Sequence, residues 1–255
     1  MSFNRPRSIL ITGASSGLGA GLARAYAAPG VTLALGGRDA ARLAAVATAC
    51  RDTGAEAETQ TVDVLDRAAL SDWIVAADER APLDLVIANA GISAGTGGAG
   101  ESEDQTRRIM AINVDGAIDT VLPAVARMRA RQHGQVAVMA SLAAFRGFPG
   151  APAYCASKAA VRVWGEALRG HLHRDGIGVS VICPGYVETP LTAVNDFPMP
   201  MLMSAERAAG IIQRGLARNR ARIAFPWPMY ALVRLIAALP LAVSDRLLRR
   251  LPKKG

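Results

Sequence analysis

A glycine-rich turn, Thr12-Gly13-Ala14-Ser15-Ser16-Gly17-Leu18-Gly19, stands between the short apolar run Ser8 to Thr12 and an amphipathic stretch from Leu18 to Ala28. A buried strand, a tight turn and a helix start in this order form the first part of a βαβ unit, which requires a second parallel strand beside the first. The rest of the chain keeps the alternation. Further strands are expected at Val31 to Leu35, Glu58 to Val62, Leu85 to Ala88, Gln135 to Met139, Val179 to Cys183 and Arg222 to Phe225. Between them, helical patterns run from Asp39 to about Arg51, from about Asp66, from Glu103 to Arg131, from Pro152 to Arg174 and from Ala205 to Arg218. The expected fold is α/β, with a doubly wound, seven-stranded parallel sheet, helices on both faces and ligands at the carboxyl ends of the strands.

Length and composition agree with one domain. The 255 residues are 51% apolar and 20% charged, ample for a core and unlike a disordered chain. Cys50, Cys155 and Cys183 form no CxxC pair, and no apolar run follows Met1 to Arg7, so a reducing, cytoplasmic location without a secretory signal is expected. The net charge of +8 is local: residues 214–255 hold ten Arg or Lys against Asp245 alone, which leaves −1 for the remainder. That distribution argues against nucleic-acid binding, which needs a basic groove on the fold itself.

The turn supports two chemistries. Gly13, Gly17 and Gly19 allow close backbone approach, and the helix start around Ser15, Ser16 and Leu18 offers free N–H groups to a pyrophosphate. The same residues match the G-x-S-x-G pattern of a hydrolase elbow at Ser15. That alternative needs a His partner, and His133, His171 and His173 lie in no recognisable loop after a strand. His171 and His173, two apart on a helix, share no face, so no metal site is expected. At the end of the second strand, Gly37 occupies the place of a ribose-binding acid and Arg38 follows it, which favours a 2′-phosphate and hence NADP(H) over NAD(H). The alternative is that Asp39, otherwise a helix cap, turns toward the ribose.

Tyr154 and Lys158 are one helical turn apart on one face, where an ammonium can favour phenolate and tune the Tyr as a general acid or base. Ser141 lies just past the strand Gln135 to Met139, on the ligand side of the sheet. With these residues together, the sequence resembles the short-chain dehydrogenase/reductase family over roughly Ser8 to Phe225. Thr12 to Gly19 is similar to its cofactor loop, Asp63-Val64 to its adenine contact, and Asn89-Ala90-Gly91 to the motif that steadies the central sheet. Pro184-Gly185, with Val187 and Thr189 following, is similar to its nicotinamide-side motif. Asn113, Ser141, Tyr154 and Lys158 match its catalytic tetrad.

The resemblance implies a Rossmann-type oxidoreductase domain over 1–225, with a substrate lid at about 189–204 and a C-terminal helical extension over 226–255. It implies that Tyr154 exchanges a proton with a carbonyl/alcohol pair while the nicotinamide exchanges hydride. Lys158 would hold the ribose, Ser141 would orient the substrate and Asn113 would seat a water. A homodimer or homotetramer is implied, with the Tyr154 helix and the long helix before it at the interface. Phe145, Phe148, Pro149 and the run Phe197 to Met203 are apolar, which points to a hydrophobic substrate or, equally simply, to packing.

Pro226 to Val243 is apolar apart from Arg234 but is interrupted by prolines, which makes it a poor membrane span. Two uses remain open for it and for the basic segment from Asp245 to Lys254, in which Leu247, Leu248 and Leu251 can share a face. One is a cover over the cleft or an oligomer surface; the other is weak peripheral contact with an anionic membrane.

Overall fold

In the computed structural model, which describes residues 5–93, 100–195 and 197–248, the strands are β1 (Ser8–Thr12), β2 (Thr32–Gly37), β3 (Glu56–Thr61), β4 (Leu85–Ala88), β5 (Gly134–Met139), β6 (Ile177–Pro184) and β7 (Arg222–Phe225). All pair in parallel in the order β3-β2-β1-β4-β5-β6-β7. The helices are α1 (Gly17–Tyr26), α2 (Ala40–Arg51), α3 (Arg67–Arg80), α4 (Glu103–Met110), α5 (Gly116–Arg131), α6 (Pro152–His171), α7 (Pro190–Ala193), α8 (Ala205–Ala217), α9 (Trp227–Ala238) and α10 (Leu241–Leu248). The fold is the expected Rossmann-type α/β sheet with a helical C-terminal end.

Two cores, one on each face of the sheet, explain the continuous apolar strands. On one face α1, α2 and α8 bury Leu22, Leu43 and Ile212. On the other, α3, α5 and α6 bury Ile74, Val121 and Val161. Only β3, at the edge, is mostly exposed and polar. The winding reverses direction between β1 and β4, and that reversal opens a crevice at their carboxyl ends.

Three local features refine the sequence expectation. β2 runs on through Gly36 and Gly37, which pair with Gln60 and Thr61; a Cβ on Gly36 would lie 2.4 Å from the Trp73 ring. The stretch from Glu103 to Arg131 is not one α-helix, because a π-helical turn at Ala111–Asp115 separates α4 from α5. That whole stretch is long and apolar enough to cross a membrane, yet it packs Ile112, Val125 and Met128 into the core. The C-terminal apolar segment breaks at Leu239-Pro240 into α9 and α10, since proline has no N–H to continue a helix. Residues 94–99 of the glycine-rich loop, and Leu251 of the expected apolar face, lie outside the described residues, as do the side chains of Leu247 and Leu248.

Two polar clusters join elements that are distant in sequence. Asp78 of α3 accepts from the Leu83 N–H at 3.0 Å, from Arg127 Nε at 3.0 Å and from Arg131 Nη2 at 2.9 Å. Arg146, beyond β5, donates from Nη2 to Ser244 Oγ at 3.1 Å and to Asp245 Oδ1 at 2.5 Å, which ties α10 to the segment after Ser141.

Candidate active site

The crevice widens into a cleft of about 1080 Å³ that runs from the glycine turn past Tyr154 to the inner side of α9. At its first end the turn is closed too tightly for side chains. Gly13 (φ +67°) and Gly17 (φ +53°) adopt the left-handed conformation, and a Cβ on Gly13 would stand 2.8 Å from the Ala90 Cα. On Gly19 it would stand 2.2 Å from the Gly13 carbonyl oxygen. This cradle precedes α1, whose N-terminus has no side-chain cap at Ser16. The free N–H groups and partial positive charge there suit a pyrophosphate. Asn89 holds the turn to β4, donating from Nδ2 to the Thr12 and Gly13 carbonyl oxygens at 3.0 and 3.1 Å. Ser15, Leu18, Asp63, Val64, Ala90 and Gly91 line the same part of the cleft.

Beside this cradle, the end of β2 presents guanidinium groups. Arg38 is exposed and lines the cleft, with Arg42 one turn further on. Asp39 also lines the cleft, but its carboxylate is engaged by α2: Oδ1 accepts from the Arg42 N–H at 2.9 Å and Oδ2 from Arg42 Nε at 2.6 Å. The Arg42 contacts hold that carboxyl below its ordinary pKa. Sequence reasoning missed Arg42, although its position three residues after a helix-capping Asp was visible.

The four tetrad candidates converge where β5, the π-helical turn and α6 meet. Ser141 caps a short 3-10 turn, accepting the Ala143 N–H at 3.1 Å, and its hydroxyl is hydrogen-bonded to the half-buried Tyr154 side chain. Lys158 is buried, donates from Nζ to the Met139 carbonyl oxygen at 2.9 Å and lies 5.9 Å from the Tyr154 ring centroid. Asn113 is drawn in by the π-helical turn, a deformation that recurs at functional sites. Its Nδ2 donates to the Ile92 carbonyl oxygen at 2.9 Å and to Ser157 Oγ at 3.0 Å, and its Oδ1 accepts the Ile92 N–H at 2.8 Å. Gly91 separates Asn113 from Lys158: a Cβ there would be 3.1 Å from Asn113 Oδ1 and 3.2 Å from Lys158 Nζ.

Burial, rather than Lys158, dominates the Tyr154 hydroxyl. Desolvation pushes the Tyr154 hydroxyl up to about 12, against a lowering by its Ser141 hydrogen bond. Desolvation likewise pushes Lys158 down to about 8, against a raising effect from Cys183. The phenol is therefore neutral at neutral pH and has a proton to give to an acceptor in the cleft.

Pro184, Gly185, Val187 and Thr189 line the cleft opposite Tyr154, beneath the segment expected to form a lid. Its base is closed by the Glu188 N–H bonding the Met203 carbonyl oxygen at 2.9 Å and the Met203 N–H bonding that of Tyr186 at 3.2 Å. Phe148, Pro149, Phe197, Pro198 and Pro200 face the cleft; Phe145 does not. Its ring packs edge-on against Tyr230, with the Arg162 guanidinium carbon 4.8 Å away. The remaining wall, from Met229, Leu232, Val233 and Ile236 of α9, was only one of the alternatives left open for the C-terminal segment. None of His133, His171 and His173 lines the cleft, so Ser15 has no histidine partner for hydrolysis.

The short chain dehydrogenase family matches residues 7–197 of the chain. An uncharacterized oxidoreductase of Myxococcus xanthus is 39% identical over 246 residues, covering 96% of this chain and 97% of that protein. The ketoacyl reductase HetN of a Nostoc species is 33% identical over 198 residues, covering 77% of this chain and 69% of that protein. Among solved structures, the actinorhodin polyketide ketoreductase with NADPH superposes with a TM-score of 0.77 at 25% identity, covering 88% of this chain and 97% of that one.

Proposed function

The chain belongs to the short chain dehydrogenase family and is an oxidoreductase, and from that premise we propose that it interconverts hydrophobic ketones or aldehydes and their alcohols with NADP(H), Tyr154 exchanging the proton. The observation that carries this reading is the place of the Tyr154 hydroxyl, hydrogen-bonded to Ser141 at the boundary between the glycine cradle and an apolar chamber. The nicotinamide, when bound, supplies or accepts the hydride. Every other part of the chemistry belongs to the chain.

Gly13 to Gly19 leave room for the pyrophosphate where any side chain would intrude, and the free start of α1 attracts its charge. Arg38, Asp39 and Arg42 all line the cleft, and both oxygens of Asp39 already accept from Arg42, which supports recognition of a 2′-phosphate by the guanidinium groups over a bare ribose hydroxyl by Asp39. Ser141 orients the substrate oxygen, and Tyr154 gives that oxygen its proton during reduction. Lys158, charged below about pH 8, holds the ribose hydroxyls and stabilises the phenolate left behind. Asn113 Oδ1 keeps an acceptor site for a water that returns a proton toward Lys158. Leu142, Phe148, Phe197, Met229, Val233 and Ile236 give the chamber its apolar character. The ketoacyl reductase and polyketide ketoreductase likenesses support a ketone as the oxidised partner.

Family membership supports a homodimer or homotetramer, and Leu122 of α5 and Val163 of α6 are exposed on the two helices expected to form the contact. Titration with NADPH and NADH, followed by a panel of carbonyl compounds of graded polarity, tests the reading. Tighter NADPH binding and turnover of apolar carbonyls are expected. Tyr154→Phe should lower turnover on the order of a hundredfold or more with nucleotide binding retained. Tighter NADH binding, or turnover of polar substrates alone, overturns it.

A further inference from the structure

Helix α9 is apolar around its whole circumference apart from Arg234. At roughly 100° per residue, Met229, Val233 and Ile236 fall on one side and Trp227, Leu235 and Ala238 on the other. The first side lines the cleft. The second is open: Trp227 is 72% exposed and Leu235 62%, and on α10 Leu241 is 70% exposed. A helix apolar on both sides is ordinarily enclosed on both sides.

Charge identifies what encloses this one. Asp245 is the only acid after Arg214, and its carboxylate is taken by Arg146 at 2.5 Å. Arg246, Arg249, Arg250, Lys253 and Lys254 follow it within nine positions. An apolar face continued by a basic segment with no acid after Asp245 in sequence is complementary to an anionic lipid surface, not to a second copy of the same basic segment. With 12 residues, α9 is about 18 Å long. That is short of the roughly 30 Å hydrocarbon core, and the break at Pro240 prevents continuation, so the helix can lie along a bilayer but not cross it.

We propose that the outer face of α9, with Leu241 of α10 and the basic segment beyond it, docks the protein on the surface of anionic phospholipid membranes. One helix then has the bilayer on one side and the cleft on the other. The inference is about binding and stands apart from the redox reading, because its test needs no turnover.

The test uses the full-length protein with vesicles of phosphatidylcholine alone or mixed with one third phosphatidylglycerol. Flotation with the anionic vesicles, little with neutral ones, and release at high salt are expected. Neutralising Arg246, Arg249 and Arg250 together to Gln should weaken binding on the order of a hundredfold, at about fivefold per basic residue. Brominated lipid should quench the tryptophan fluorescence of the unaltered protein. The quench should disappear in Trp227→Phe, a change at an exposed position that leaves Trp73 and Trp164 as internal controls. Failure of the unaltered protein to float with anionic vesicles overturns the proposal, as does quenching that persists in Trp227→Phe. Sedimentation as a dimer that Leu235→Asp dissociates, without vesicle binding, also overturns it and assigns the face to a second copy.

Discussion

Glu101 fastens the start of the helix that carries Tyr154: its Oε2 accepts the Ala153 N–H at 2.5 Å and its Oε1 the Tyr154 N–H at 3.4 Å. The local N-cap, Ala151, has no side chain that could do this. A carboxylate at a helix N-terminus satisfies free donors and opposes the positive end of the helix dipole. Glu101→Ala should lower stability by about 1 kcal/mol and depress kcat more than it weakens nucleotide binding, with Glu101→Gln intermediate. Thermal melts with steady-state kinetics check this; an unchanged kcat sinks the positioning role.

Burial of the Lys158 ammonium carries a cost that depends on pH. With the folded pKa near 8 and the unfolded one near 10.5, the unfolded chain binds the extra proton between those values, so this group makes stability rise with pH across that window. Lys158→Met fills the space without charge. The cofactor-free variant should therefore exceed the parent in stability below pH 8, by roughly 3 kcal/mol less the lost Met139 hydrogen bond, and the gap should close toward pH 10.5. Comparing parent and variant melts at each pH cancels the other titrating groups.

Asp78 works in the opposite sense. Burial disfavours its charge, but the Leu83 N–H, Arg127 and Arg131 outweigh that and lower its pKa. Its contribution is present above the ordinary carboxylate range and is lost as pH falls through the lowered folded value. Asp78→Asn should cost on the order of 1–2 kcal/mol near neutrality, because Arg127 and Arg131 lose their carboxylate partner while Arg131 keeps its bond to the Leu83 carbonyl oxygen. It should also flatten the acid limb of the stability curve, which chemical denaturation at several pH values will show.

Arg38 is the residue on which cofactor choice should turn. Arg38→Ala removes a charged hydrogen-bond donor from the expected 2′-phosphate and should raise the NADPH Kd on the order of tenfold to a hundredfold. The NADH Kd should stay nearly constant. Equal weakening of both in fluorescence titrations would reassign Arg38 to a general electrostatic role.

What could be read from the chain follows from the range of each interaction. The glycine turn, the strands, and the Tyr154 and Lys158 pair are local patterns whose spacing is set by backbone geometry; all seven strands form, with the ends of β2, β3 and β6 up to two residues from their expected places. Ser141 was legible because it stands next to the end of β5. The Glu101 clasp was not, since it joins residues more than fifty apart and no local spacing marks it. For Phe145 the sequence leaves both a substrate contact and packing open, and Tyr230 and Arg162, contributed by distant elements, decide for packing. The π-helical turn kept the apolar period of an ordinary helix and so gave no signal. For α9, periodicity marks a helix with two apolar sides and cannot say which covers the cleft.

The order of synthesis gives the last point a consequence in time. The glycine cradle, Arg38 and Asn89 all lie between Thr12 and Gly91, whereas α9 begins at Trp227. A chain emerging N-terminus first therefore owns its phosphate cradle, Arg38 and Asn89 well before it has Lys158, Thr189 or a wall for the second chamber. The chamber for the other reactant closes only after nearly all of the protein has been made.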